Sequence, residues 1–209
     1  HKLSNRESIL MVNSLLGTEV IDRGLEDLLL EKTEGVPFYI EEFVKYLQDL
    51  QIIEKSNGGF RLVKAIESVG IPAEIQDVLM TRLDALPEGA KGIAQAGSVI
   101  GREFSHGLIS KETDLPEREL LSRLSILKDS ELVYERGIYP SVSYVFKHAL
   151  VQDVAYQSLL TSARQRHHGK IAEVLEEHYP EKAEIHPELL GHHFTEAGLK
   201  EQAIPYWQK

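Results

Sequence analysis

Apolar residues recur at three- and four-residue spacing through most of the chain, with short interruptions where β-branched and aromatic residues cluster instead. Ser4 followed by Glu7 has the spacing of a capping box. Ile9, Val12, Leu15 and Leu16 then form an apolar stripe that ends at Gly17, which predicts a first amphipathic helix. A second helix is expected from about Ile21 to Thr33, with Leu25, Leu28 and Leu29 inward and Gly35 stopping it. Pro37 opens a third, because its fixed φ suits the first helical turn, and Ile40, Phe43, Val44, Leu47 and Leu50 make the buried face. Gln51 to Glu54 and Gly59 to Val63 read as two short strands around an Asn57-Gly58 hairpin turn.

After a break at Gly70-Ile71-Pro72 the helical period returns. Ile75, Val78, Leu79, Leu83 and Leu86 line a helix that ends before Pro87, and the next runs from about Glu88 to Ile100. That helix holds Gly89, Gly92 and Gly97, each costing about 1 kcal/mol relative to Ala, a cost that close packing against a neighbour would offset. Helices from Phe104 to Ser110 and from Pro116, the latter with Leu120, Leu121, Leu124 and Leu127 inward, precede strands at Leu132 to Glu135 and Ser143 to Phe146. The stretch Tyr144-Val-Phe-Lys-His148-Ala-Leu-Val-Gln-Asp153-Val-Ala-Tyr156 passes from strand into helix with a histidine at the junction. A helix N-terminus favours anions through its unpaired N–H groups and dipole, and an imidazole there adds a donor; the plainer role for His148 is capping or core packing. Beyond Tyr156 the pattern is helical, with breaks at Thr161-Ser162 and Tyr179-Pro180. Leu190, Gly191, Phe194, Gly198, Ala203 and Trp207 have the spacing of a tetratricopeptide unit, so further repeats are expected beyond Lys209.

Composition narrows the classes. In 209 residues, 42% are hydrophobic, enough for a core, and no apolar run approaches a membrane span. The absence of cysteine excludes disulfides and thiolate metal sites and fits a reducing cytoplasm. Helices followed by a two-stranded ribbon is the order of a winged helix, which raises DNA binding. The formal charge of -10 opposes it, as does the helix before the ribbon, where Arg118, Arg123 and Lys128 face Glu117, Glu119, Asp129 and Glu131. The basic cluster Arg164-Gln-Arg166-His-His-Gly-Lys170 reads as a solvated helix face. The sequence has no Walker phosphate loop, nucleophile elbow or H-E-x-x-H pair, and its histidines show no i,i+3 or i,i+4 pairing, so neither catalytic residues nor a helical metal site is assigned.

Three stretches together carry a family resemblance: Glu31-Lys-Thr-Glu-Gly35-Val-Pro37-Phe-Tyr-Ile-Glu-Glu42-Phe-Val, then Ile71-Pro72 with Arg82-Leu-Asp-Ala-Leu86, then Phe146-Lys-His148-Ala-Leu-Val-Gln-Asp-Val-Ala-Tyr156. They resemble the STAND signal-transduction ATPases, and more narrowly bacterial regulators whose ATPase core precedes a repeat array and is coupled to adenylyl cyclase, kinase or transcription-factor modules. The resemblance implies that Pro37 belongs to the G-x-P turn of a helical lid, packing on adenine, and that His148 is the histidine of the M-H-D motif, contacting the β-phosphate of ADP. The methionine and aspartate positions of that motif are Lys147 and Ala149 here. The phosphate loop and magnesium-binding acids would lie upstream of His1, so ADP or ATP with magnesium would be bound only by the intact parent protein.

The expected fold is therefore mainly α. Residues 1–50 would form a helical lid subdomain, 51–70 a β-hairpin and linker, 71–157 a winged-helix domain with short β-hairpins, and 158–209 α-helical hairpins starting a tetratricopeptide-like array. The expected function is regulatory and not enzymatic for this segment. Its partners would be an upstream nucleotide-binding core, downstream repeats and an effector domain, without membrane or nucleic acid. The rival readings are a DNA-binding winged-helix regulator and a protein-interaction scaffold.

Overall fold

The computed structural model describes residues 1–56, 59–63, 74–138 and 141–209 and is mainly α-helical, with two small antiparallel sheets. Two compact units emerge, His1–Arg82 and Leu83–Lys209, with the boundary falling inside one helix, α4 (Ile75–Asp84). The Asn57-Gly58 turn and the Gly70-Ile71-Pro72 break lie outside the described residues.

In the first unit, α1 (Asn5–Leu16) begins with the capping box: Glu7 N–H donates to the Ser4 hydroxyl at 3.4 Å, and Ser4 N–H donates to the Glu7 carboxylate at 2.8 Å. The buried side of α1 is Ser8, Val12 and Leu16, while Leu15 is 40% exposed, a departure from the expected stripe. Helix α2 (Arg23–Thr33) starts two residues later than its periodicity suggested, because Asp22 is its N-cap and Ile21 bridges Phe60. Asp22 has two tasks, since one carboxylate oxygen caps Gly24 and Leu25 and the other accepts from Leu62 N–H. The chain then turns through Glu34 and Gly35, both at positive φ, into α3 (Pro37–Asp49), whose Ile40, Phe43, Val44 and Leu47 are buried; Leu50 lies past the helix end and is 43% exposed. Strands β1 (Ile53–Ser56) and β2 (Gly59–Leu62) pair antiparallel. A buried ion pair joins Glu42 of α3 to Arg82 of α4, so two of the stretches that carry the family resemblance meet in one contact.

The second unit opens with α5 (Glu88–Ile100) and then β3 (Glu103–Ser105), a strand where the periodicity had suggested helix. Phe104 sits opposite Tyr144, and Ser105 caps the following α6 (His106–Thr113), so the helix begins two residues late. Helix α7 (Glu117–Asp129) buries Leu120, Leu124 and Leu127, whereas Leu121 is 47% exposed, contrary to expectation. Strands β4 (Val133–Arg136) and β5 (Ser143–Phe146) complete a three-stranded sheet of order β3-β5-β4. Helix, strand, two helices and two strands, with the last strand central, is the topology of a winged helix. Helices α8 (Ala149–Gln157), α9 (Thr161–His178), α10 (Pro180–Ile185), α11 (Pro187–Glu196) and α12 (Lys200–Trp207) follow. The break before α9 falls at Ser158 to Leu160, earlier than expected, because Leu160 takes extended backbone angles as its N-cap. At the end of the chain Gly191 leaves room for the Trp207 indole, whose N–H donates to the Thr195 hydroxyl at 3.0 Å, and Phe194 stacks on Tyr206.

The three glycines of α5 have different roles. A Cβ on Gly97 would sit 2.7 Å from the Phe104 ring and one on Gly89 would sit 2.8 Å from the Arg123 guanidinium, whereas one on Gly92 would meet nothing within 4 Å. Gly97→Ala should therefore destabilise the protein by about 1–2 kcal/mol, overpacking outweighing improved helix propensity. Gly92→Ala should stabilise it by roughly 0.5–1 kcal/mol. Denaturant midpoints of the two variants, which bracket the wild type if this packing is right, check the expectation.

Candidate functional site

His148 stands at the junction its sequence context suggests, two residues past the end of β5 and immediately before α8. Its backbone is extended, with φ -140 and ψ 152, and its ring serves as the N-cap. Nδ1 accepts a hydrogen bond from Leu150 N–H at 3.2 Å. A neutral imidazole that accepts at Nδ1 carries its proton on Nε2, so capping also fixes the tautomer and makes Nε2–H a donor. Burial and then the charge of Arg102 push the His148 pKa down, against a smaller opposing effect of Asp153.

The first turn of α8 contains no acidic side chain. Two of its amides are already engaged, Leu150 by the imidazole and Val151 by the His148 carbonyl at 3.1 Å. An anion placed here would meet the ring and Arg102 more than open amides. The nearby cation is Arg102, exposed, in the short connection between α5 and β3, with its carbonyl accepting from Phe146 N–H at 2.9 Å. Sequence reasoning missed Arg102 because it lies 46 positions from His148 in the chain, and only the pairing of β3 with β5 brings it close. Lys147 pairs with Glu131 at 3.5 Å, and Ala149 is the exposed first residue of α8.

Pro37 lies in the other unit, as the first residue of α3, where its missing N–H leaves no bond unmade. The turn before it is fixed by close approach. Gly35 has φ 72, a Cβ there would fall 2.3 Å from the Leu3 carbonyl oxygen, and Leu3 N–H donates to the Gly35 carbonyl at 2.7 Å. Only glycine fits, and the turn presents Pro37 half-buried.

A third cluster was invisible to periodicity. His168 of α9 meets His192 and His193 of α11, with the His168 and His193 Nδ1 atoms 2.8 Å apart and the Tyr156 hydroxyl 3.1 Å from His168 Nε2. His168 and His193 are both 2% exposed. Their hydrogen bonds run in one direction along the chain Tyr156–His168–His193, each neutral ring donating through one nitrogen and accepting through the other. Among the described residues no group of three such side chains is arranged to hold a metal ion.

Comparison with known proteins adds relationships without an activity. Residues 4–61 match a family described as a domain of unknown function (DUF8739). Over 172 residues the chain is 26% identical to the uncharacterized protein R02095 of Rhizobium meliloti (strain 1021), a match covering 82% of this chain and 16% of that protein. The chain thus spans about a sixth of the length of that relative.

The buried rings make stability pH-dependent. Burial and then neighbouring histidines lower the pKa of His168 to about 4 and of His193 to about 3, against 6.5 for a free imidazole. Below pH 6.5 the unfolded chain takes up protons that the folded rings refuse. Their contribution is therefore full above pH 6.5 and is lost as the pH falls towards 4 and 3. Unfolding free energies from denaturant titrations between about pH 7.5 and 5 should fall on acidification, by at most ~1.4 kcal/mol per pH unit for each ring, and His193→Gln should flatten that slope.

Proposed function

We propose that this chain is the regulatory segment of a signal-transduction ATPase, in which a helical lid and a winged helix respond to ADP or ATP held on an upstream core and couple that state to a downstream repeat region. The observation that carries this reading is His148. A ring held by its own helix cap, with its proton directed to Nε2 and Arg102 nearby, suits recognition of a phosphate oxygen. The ordered, glycine-fixed turn before Pro37 is a suitable rigid surface for a base. Coupling of this kind needs contacts that differ between two nucleotide states, which a capping histidine at a strand-to-helix junction can supply when ADP is present. Cytoplasmic location belongs to the same proposal; among the described residues no helix is long and apolar enough to cross a membrane.

DNA reading by α7 has less support. Of its three bases, Arg123 pairs with Glu119 and Lys128 pairs with Glu135 at 2.6 Å, which leaves Arg118 against exposed acids. A groove-reading helix needs unneutralised cations for phosphate contact and counterion release. This chain is expected to give no salt-sensitive shift of duplex DNA, and base protection mapped to α7 would show the opposite.

For His148 the test separates capping from sensing. In a chain that includes the nucleotide-binding core, His148→Ala should weaken ADP binding about tenfold to hundredfold, the scale of a lost hydrogen bond to a charged group. The same change should cost about 0.5–2 kcal/mol of stability through the lost cap. His148→Asn restores a good N-cap without the distal donor, so it should keep the melting temperature while ADP affinity still falls. Unchanged ADP affinity in both variants would leave His148 as a capping residue alone.

A further inference from the structure

Away from His148, the second unit contains a cavity of about 390 Å³ between α5, α6, α7 and α9. Its size is at the lower end of small-molecule sites. Gly92 lies on its wall, and its missing side chain faces open space, although glycine there costs helix stability. Glu112 of α6, 3% exposed, lines the same cavity. One of its oxygens is held by His167 Nδ1 at 2.6 Å, and the other, Oε2, is buried without a hydrogen-bond partner. Leaving such an atom unmatched costs on the order of 1–3 kcal/mol, more for a charged group.

Opposite charge lines the same cavity. Arg166 and Lys170 lie four residues apart on α9, on one face, and neither forms an ion pair among the described residues. Arg123 contributes a third cation, already shared with Glu119. Ile93, Ala96 and Leu115 supply apolar wall.

A simple anion such as phosphate would match the cations and be repelled by Glu112. An amine would match Glu112 and be repelled by the cations. A ligand with both groups satisfies both sides at once, and an apolar body then covers the hydrophobic wall. We propose that this cavity binds a free α-amino acid with an apolar side chain, its ammonium on Glu112 Oε2, its carboxylate towards Arg166 and Lys170, and its side chain against Ile93 and Leu115. The site is independent of the nucleotide reading, and its failure would leave that reading untouched.

The test uses the purified chain and free L-leucine, L-methionine and L-phenylalanine as probes, followed by amide chemical shifts and by thermal stabilisation, which rises with ligand concentration when binding is to the folded state. At least one probe should bind saturably and shift amides of α5, α6 and α9. Compounds missing one charge, 4-methylpentanoate and 3-methylbutylamine, should bind about tenfold or more weakly than leucine. A tripeptide ending in leucine, whose leucine nitrogen is an uncharged amide, should do no better. Glu112→Gln should weaken the amino acid by a similar factor. Gly92→Leu should abolish binding while the protein stays folded, because it fills space that is empty and improves helix propensity. Absence of saturable binding by every probe, equal binding of leucine and 4-methylpentanoate, or undiminished binding to folded Gly92→Leu would each overturn the proposal.

Discussion

The second unit depends on one strand. β5 lies between β3 and β4, and its Tyr144, Val145 and Phe146 are all buried. Phe104 of β3 packs against both Tyr144 and Phe146, with ring centroids 5.7 and 5.6 Å away, and reaches α5 only because Gly97 has no side chain. The Tyr144 hydroxyl bonds the His106 ring, which in turn bonds Glu117, so the same strand ties down the starts of α6 and α7. Burial, followed by Glu135 and Glu117, pushes the Tyr144 pKa up to about 12, and its hydroxyl remains protonated within this contact. Two residues after the last buried ring the chain reaches His148, so the position of the capping imidazole is inherited from the packing of β5.

Much of the helical fold was legible because its signals are local. The Ser4–Glu7 capping box, Pro37 at a first turn and the strand-to-helix passage around His148 are each decided within a few residues. The misreadings have a common cause. Phe104 fits a helix by its neighbours, and only Tyr144, 40 residues on, makes it a strand. Leu15, Leu50 and Leu121 were expected inside because they are leucines on a plausible stripe, yet the neighbouring elements cover a narrower face than the stripe.

Site chemistry was less legible for the same reason. A single histidine beside a helix start can be seen in sequence, but Arg102 joins it only through strand pairing. His168 and His193 are 25 residues apart, and Glu112 and His167 are 55 apart, so no spacing rule connects either pair. The basic face at Arg166 and Lys170 reads as solvated from sequence, and Arg166 is exposed; what spacing could not show is that Glu112 of α6 lines the same cavity.

The His168–His193 contact has a consequence for how this protein can vary. Each ring satisfies the other, so replacing one by an apolar residue strands a buried nitrogen on its neighbour, whereas replacing both removes donor and acceptor together. Single changes should thus be worse than the pair, and the route between two tolerated states passes through a disfavoured intermediate. Positions 168 and 193 should accordingly drift as a unit over evolutionary time, with Tyr156 following, because its hydroxyl depends on the same ring.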